Sequence, residues 1–210
     1  MRRYRWHWEL ALPGWKDSAA RVRTLYCDGG LALSNPSPAG GSFAFCGVET
    51  LDPRPLVEGE TPGGLDAGVE RVIEAHGYIL PHELGMPLVT NNHTELIAAV
   101  CALEAMPPGW SGRLCSDSGC TLGRLFRGER LKNVPGWLSA RMGQALARVG
   151  AVEPVLLKGH PKRPDLALGW KEGKPVSEHN VWCDEACGRE NERVVSIETA
   201  RRGRQAAAVA

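Results

Sequence analysis

Three short strand-like runs precede the first helix-period segment of this chain, near residue 90, and that order limits the folds open to it. Upstream, "VRTLYCD" (22–28), "GSFAFCGVE" (41–49) and "RVIEAHGYIL" (71–80) are short runs bounded by turn residues, so each is expected to be a strand. Downstream, Leu96, Ala99, Val100 and Leu103 recur at i, i+3, i+4 and i+7, which makes "TNNHTELIAAVCALEAM" (90–106) an amphipathic helix. "GRLCSD" (112–117) then reads as a fourth strand that turns at "SGCTLGRLF" into a helix. "VPGWLSARMGQALARVG" (134–150) is a further helix, "EPVLLKGH" (153–160) a fifth strand and "NVWCDEACGRENERVVSIE" a last helix. Three strands followed by alternating helices and strands is an α/β arrangement.

A chain of 210 residues suits one domain with appendages, and 43% apolar with 23% charged residues argues against wholesale disorder. The apolar runs fall short of the roughly 20 residues of a membrane span. The opening "MRRYRWHWELALPGW" carries Trp, His and Glu where a signal peptide has an apolar core. Seven cysteines without paired CxxC spacing argue against a disulfide framework or a zinc knuckle, so a reducing cytoplasm is the expected location. Cys183 and Cys187, four apart on the last helix, are expected to be buried free thiols.

The net charge of +1 hides an uneven distribution. From Arg124 to Lys174 there are eleven Lys or Arg against four acids, and from Glu49 to Glu70 six acids against Arg54 alone. A chain polarised in this way suits phosphate binding on one face.

Four acids stand at junctions: Asp28 at the end of the first strand, Glu95 at the start of the first helix, Asp117 at the end of the fourth strand and Asp184 in the first turn of the last helix. Each has a structural explanation. Asp28 can start a turn, Asp117 can cap a helix, Asp184 can answer a helix dipole, and Glu95 can close a capping box with Asn92 three residues before it. Together they have another: carboxylates converging on one sheet edge repel unless divalent cations lie between them, and hard oxygen ligands suit Mg²⁺ or Mn²⁺.

In these pieces the chain resembles type 1 ribonuclease H. The matching segments are "YCDGG…NPSPAGG", "TNNHTELIAAVCALEA", "SDSGCTLGRL", "KNVPGWLSARMGQAL", "LLKGH" and "NVWCDEAC", in order between residues 22 and 195. The resemblance implies a ribonuclease H-like fold: a five-stranded mixed sheet, three antiparallel strands first, with helices on both faces. It implies hydrolysis of the RNA strand of RNA–DNA hybrids by two Mg²⁺ ions, with Mn²⁺ as substitute, giving 5′-phosphate and 3′-hydroxyl ends. Asp28, Glu95, Asp117 and Asp184 would be the metal ligands and His160 a mobile proton carrier. Asn91 and Asn92 would meet the hybrid's minor groove and Asn35 and Thr90 the DNA strand's phosphate, with Lys158 and Asn180 as further substrate contacts.

Three positions depart from that pattern: Gly30 and Gly119 lack expected polar side chains, and Leu88 stands where a phosphate-binding Arg is common. The expected layout is an extension over 1–21, a catalytic domain over 22–199 with insertions near 50–69 and 161–178, and a flexible basic tail over 200–210. In the extension, Trp6, Trp8 and Leu10 alternate as in an added edge strand, or the aromatics interleaved with Arg3 and Arg5 stack on nucleic acid. In the second insertion Lys162, Arg163, Trp170 and Lys171 either hold substrate or form a solvated loop. A monomer without membrane contact is expected. The competing readings are a nuclease of the same fold with broader substrates and a catalytically silent hybrid-binding module.

Overall fold

The computed structural model describes residues 7–10, 15–49, 64–129 and 133–209, with backbone alone for 7–10, 202 and 205–209. In chain order the elements up to the first long helix are β1 (His7–Leu10), α1 (Trp15–Arg21), β2 (Thr24–Leu31), β3 (Gly41–Val48), β4 (Arg71–Ile79), α2 (Pro81–Leu84) and α3 (Asn91–Ala105). Then come β5 (Gly112–Ser116), α4 (Gly119–Phe126), α5 (Gly136–Arg148), β6 (Val152–Leu156), α6 (Arg163–Leu168), β7 (Trp170–Lys171), β8 (Lys174–Pro175) and α7 (Glu178–Val209).

The main sheet has the order β1-β4-β3-β2-β5-β6, with β2, β3 and β4 antiparallel and β5 and β6 parallel to β2. Its five inner and far strands are the mixed α/β sheet expected from the sequence. The sixth is an addition: His7–Leu10 pairs antiparallel with Ala75–Tyr78 and extends the sheet past its expected edge. The packing of Trp6 and Trp8, and the acidic run from 50 to 63, lie outside the described residues.

Side-chain period two divides β2 and β3 between two cores. Leu25, Cys27, Phe43 and Phe45 pack with α3 on one face, whereas Tyr26, Ala44, Cys46 and Val48 pack with Cys183, Ala186 and Cys187 of α7 on the other. Both faces are therefore covered. Helix α3 is not the amphipathic helix expected: every residue from Leu96 to Leu103 is fully buried. Its outer side carries Ala98, Cys101 and Ala102, small enough for a second helical layer, α4 and α5, to close over it.

Helix α7 lies along β2 through two thiols, Cys183 donating to the Tyr26 carbonyl at 3.6 Å and Cys187 to the Asp28 carbonyl at 3.4 Å. Four residues advance a helix by about 6 Å and two residues advance a strand by about 6.6 Å, so the spacings match. In the region expected as a basic tail, α7 continues to Val209, through Ala, Arg and Gln, which are strong helix formers. The 161–178 insertion holds α6 and the β7–β8 hairpin. No helix of the described residues is long and apolar enough to cross a membrane.

Candidate metal centre

The parallel register between β2 and β5 runs Thr24 with Arg113, Leu25 with Leu114 and Tyr26 with Cys115. Two residues further it sets Asp28 beside Asp117, which directly follows β5; Asp28 does not end its strand as the sequence suggested, since β2 runs on to Leu31. The third acid arrives from α3. Its first turn rests on Gly29: a Cβ there would lie 2.3 Å from the Glu95 nitrogen and 2.4 Å from the Thr94 carbonyl carbon. Only the bare backbone permits that approach.

Ligand oxygens of Asp28, Glu95 and Asp117 lie within 4.8 Å of one another. Asp28 is 5% exposed and Glu95 4%, so the cluster is held largely inside the protein. The Gly29 N–H donates to Asp28 Oδ1 at 2.7 Å, and Asn91 Nδ2 donates to Glu95 Oε1 at 3.3 Å. The other oxygen, Glu95 Oε2, is buried and accepts no hydrogen bond from the protein. A trio of carboxylates with one buried oxygen that no protein donor pairs suits a hard divalent cation.

The electrostatics agree. Burial, then the charges of Asp117 and Asp184, push Asp28 up to about 8, against the pull of the Gly29 N–H. Burial, then Asp28 and Asp117, hold Glu95 well above the usual carboxylate range. Burial also raises Asp117, partly offset by His160.

Asp184 lines the same cleft from α7, together with Gly30, Asn91, Ser118 and His160. Its half-exposed carboxylate stands outside the tight trio, with Oδ2 3.5 Å from His160 Nδ1. His160 is 80% exposed and takes a left-handed backbone, φ 49°. The preceding Gly159 lets the loop close on the acids, because a Cβ there would fall 2.1 Å from Asp117 Oδ2.

The expected substrate contacts divide. Asn35 is exposed and its Oδ1 accepts from the Asn91 N–H at 3.5 Å, Asn92 is exposed on the first turn of α3, and Thr90 is its N-cap. Of the expected asparagine contacts only Asn91 lines the cleft; these three lie outside its lining. Lys158 is half-buried and paired with Glu172 at 2.6 Å. Asn180 is 2% exposed and is not part of the cleft lining, so burial removes it from a surface contact.

The capping box differs from the expected Asn92–Glu95 pair: Thr90 N–H donates to His93 Nδ1 at 3.1 Å, and His93 Nε2 donates to the Asn133 carbonyl at 2.7 Å. Glu95 is thereby left to the acid cluster. Gly30, read from the sequence as a missing polar group, would take one only by displacing neighbouring side chains. A Cβ there would meet Asn191 Nδ2 at 2.7 Å and Ser42 Oγ at 2.8 Å. Gly29, Gly159 and Ser118 went unremarked as site residues, and the doubled glycine after Asp28 was the available signal.

Carboxylates converging from β2, α3 and the end of β5 are compatible with metal-dependent nuclease chemistry. No protein-family model matches the chain, and no curated protein matches it in sequence. Among solved structures, the chain is similar to the N-terminal RNase H domain of a Mycobacterium tuberculosis protein, determined as a fusion with maltose-binding protein. That similarity covers 84% of this chain and 99% of that one, at 13% identity and a TM-score of 0.48.

Proposed function

We propose that this protein is a metal-dependent endonuclease that hydrolyses the RNA strand of RNA–DNA hybrids, leaving 5′-phosphate and 3′-hydroxyl ends. The observation that carries the proposal is the trio Asp28, Glu95 and Asp117 with the unpartnered Glu95 Oε2 among its buried oxygens. A pair of Mg²⁺ ions bound there supplies an activated water and charge relief on the phosphate and the departing 3′ oxygen. Asp28, Glu95 and Asp117 hold the cations from within, and Asp184 completes the set from the open side of the cleft.

The remaining work falls to side chains of this chain. The Gly29 N–H and Asn91 fix the orientation of Asp28 and Glu95 before any cation binds. His160, exposed beside Asp184, accepts a proton at the open mouth of the cleft and passes it to solvent as product leaves. Asn91 in the cleft, with the exposed Asn35 and Asn92 next to it, offers neutral donors and acceptors suited to sugar hydroxyls and backbone oxygens rather than to base sequence.

Incubating a labelled hybrid with Mg²⁺ and mapping the ends of the fragments tests this reading. Internal cuts in the RNA strand alone, with 5′-phosphates, are expected. Ends bearing 2′,3′-cyclic phosphates would contradict it, because they arise from attack by the RNA's own 2′-hydroxyl without a hydrolytic water.

A further inference from the structure

Beyond β6 the chain closes a loop on itself. The Lys158 N–H donates to the Pro175 carbonyl at 2.9 Å, and Lys158 Nζ pairs with Glu172 at 2.6 Å. Between these ends lie His160 and then an inserted unit, α6 with the β7–β8 hairpin. His160 keeps a left-handed backbone, φ 49°, which a residue with a side chain holds only where its surroundings impose it. On one side the restraint is Gly159, set so close to Asp117 that a Cβ would meet its carboxylate.

On the other side the restraint is Lys171 of β7. Its Nζ donates to the His160 carbonyl at 3.4 Å and pairs with Asp165 Oδ2 at 3.0 Å. Asp165 Oδ2 is itself fixed by the Lys162 N–H at 2.7 Å, and that N–H, then Lys171, hold the Asp165 carboxyl below the usual carboxylate range. The sequence left Lys171 either on substrate or in a solvated loop. Its side chain is only 24% exposed, and its ammonium is committed to two acceptors of this chain. Holding the carbonyl of His160 holds the peptide plane that follows it, and the backbone angles of a residue decide which side-chain rotamers it can take. The imidazole so directed stands with Nδ1 3.5 Å from Asp184 Oδ2.

We propose that Lys171 is a positioning residue for His160: through the His160 carbonyl it fixes the loop that sets the imidazole at the mouth of the cleft, and the α6–hairpin unit is the brace that holds Lys171 in place. This inference rests on the reading of the cleft as a nuclease site and deepens it, by giving the inserted unit a part in the work of the histidine.

The test compares the full chain with Lys171→Met and Lys171→Arg on a labelled RNA–DNA hybrid with Mg²⁺. Lys171→Met is expected to lower kcat about tenfold, a part of what a well-placed proton carrier contributes, with KM unchanged. Lys171→Arg, which keeps donor and charge, restores most of the rate. His160→Ala combined with Lys171→Met is expected to be no slower than His160→Ala alone, because a residue that acts through another has nothing to act on once that one is gone. Losses that multiply in the double variant would overturn the proposal, as would an unchanged kcat or an effect on KM alone. A second readout needs neither metal nor substrate: backbone ¹⁵N relaxation in EDTA. The Gly159 and His160 amides are expected to be ordered in the wild-type chain and to fall in Lys171→Met toward the flexible range, order parameters below about 0.6. Amides already flexible in the wild-type chain, or unmoved in the variant, would overturn the proposal too. A chain whose amides respond in this way yet cuts no hybrid would refute the nuclease reading and leave the brace standing.

Discussion

Asp28 and Glu95 sit where their charge is disfavoured, and that has a measurable cost to the cation-free protein. An acid whose folded pKa is raised binds its proton more tightly folded than unfolded, so stability is greatest at low pH. It falls as pH rises from the ordinary value of 3.8 through the folded value of about 8. Asp28→Asn removes that loss. Without divalent cations and above about pH 8, we expect the variant to gain about 2 kcal/mol, roughly 4–8 °C in Tm, with the gap closing toward pH 4. Mg²⁺ should raise the Tm of the wild-type chain and not that of the variant. Thermal melts across pH, with and without Mg²⁺, read both effects, and coincident curves for the two proteins would refute the account of Asp28.

Gly29→Ala should do the opposite. Its Cβ would strike the Glu95 nitrogen and Thr94 carbonyl carbon, backbone that cannot rotate away, so a loss of about 3 kcal/mol is expected in denaturant titrations. Gly119→Ala, whose nearest neighbour would be Leu156 Cδ1 at 3.9 Å, is the contrasting substitution and should cost nothing. The four acids were legible as a set, but not all at junctions: β2 runs on past Asp28 to Leu31, and α7 begins at Glu178, a turn and more before Asp184. The glycines were less so, since their necessity lies in how closely two segments distant in sequence approach. The capping box differs for a related reason: the i, i+3 spacing that suggested Asn92 with Glu95 is also met by Thr90 with His93, the pair that forms.

At the scale of elements, α3 is the part whose environment differs most from the sequence reading. Its apolar stripe was visible, but alanines and a cysteine on the other side read as neutral, and only the tertiary arrangement makes them a second contact surface beneath α4 and α5. The buried end of α3 is closed by Arg148 of α5, which donates to the carbonyls of Leu103, Glu104 and Met106. A helix end without such partners leaves carbonyls unpaired. Arg148→Ala is therefore expected to cost about 2 kcal/mol, measured by chemical denaturation, and to speed amide exchange in the last turn of α3. A change within error would mean that solvent serves those carbonyls. The α6 helix and the β7–β8 strands escaped the sequence reading because six-residue and two-residue elements are too short to show a period.

Across the whole molecule, one sheet sets the function. Both faces are covered by helices, so the crevice beside the second half of β2 and the end of β5 is where α3, α7 and the His160 loop bring their polar side chains together. The strand order β4-β3-β2-β5-β6 could be anticipated from the succession of elements and the resemblance they carry. The inward placement of Asp28 and Glu95, against the half-exposed Asp184, could not, because burial is a property of the assembled layers. The most direct test is cleavage of one labelled sequence as RNA–DNA hybrid, RNA duplex, DNA duplex and single strands, with Mg²⁺ or EDTA, by the wild-type chain and by Asp117→Asn. The account predicts cutting of the hybrid's RNA strand alone, dependent on Mg²⁺ and reduced by about a thousandfold or more in the variant. Cutting that persists in EDTA, or survives the loss of Asp117, would contradict it.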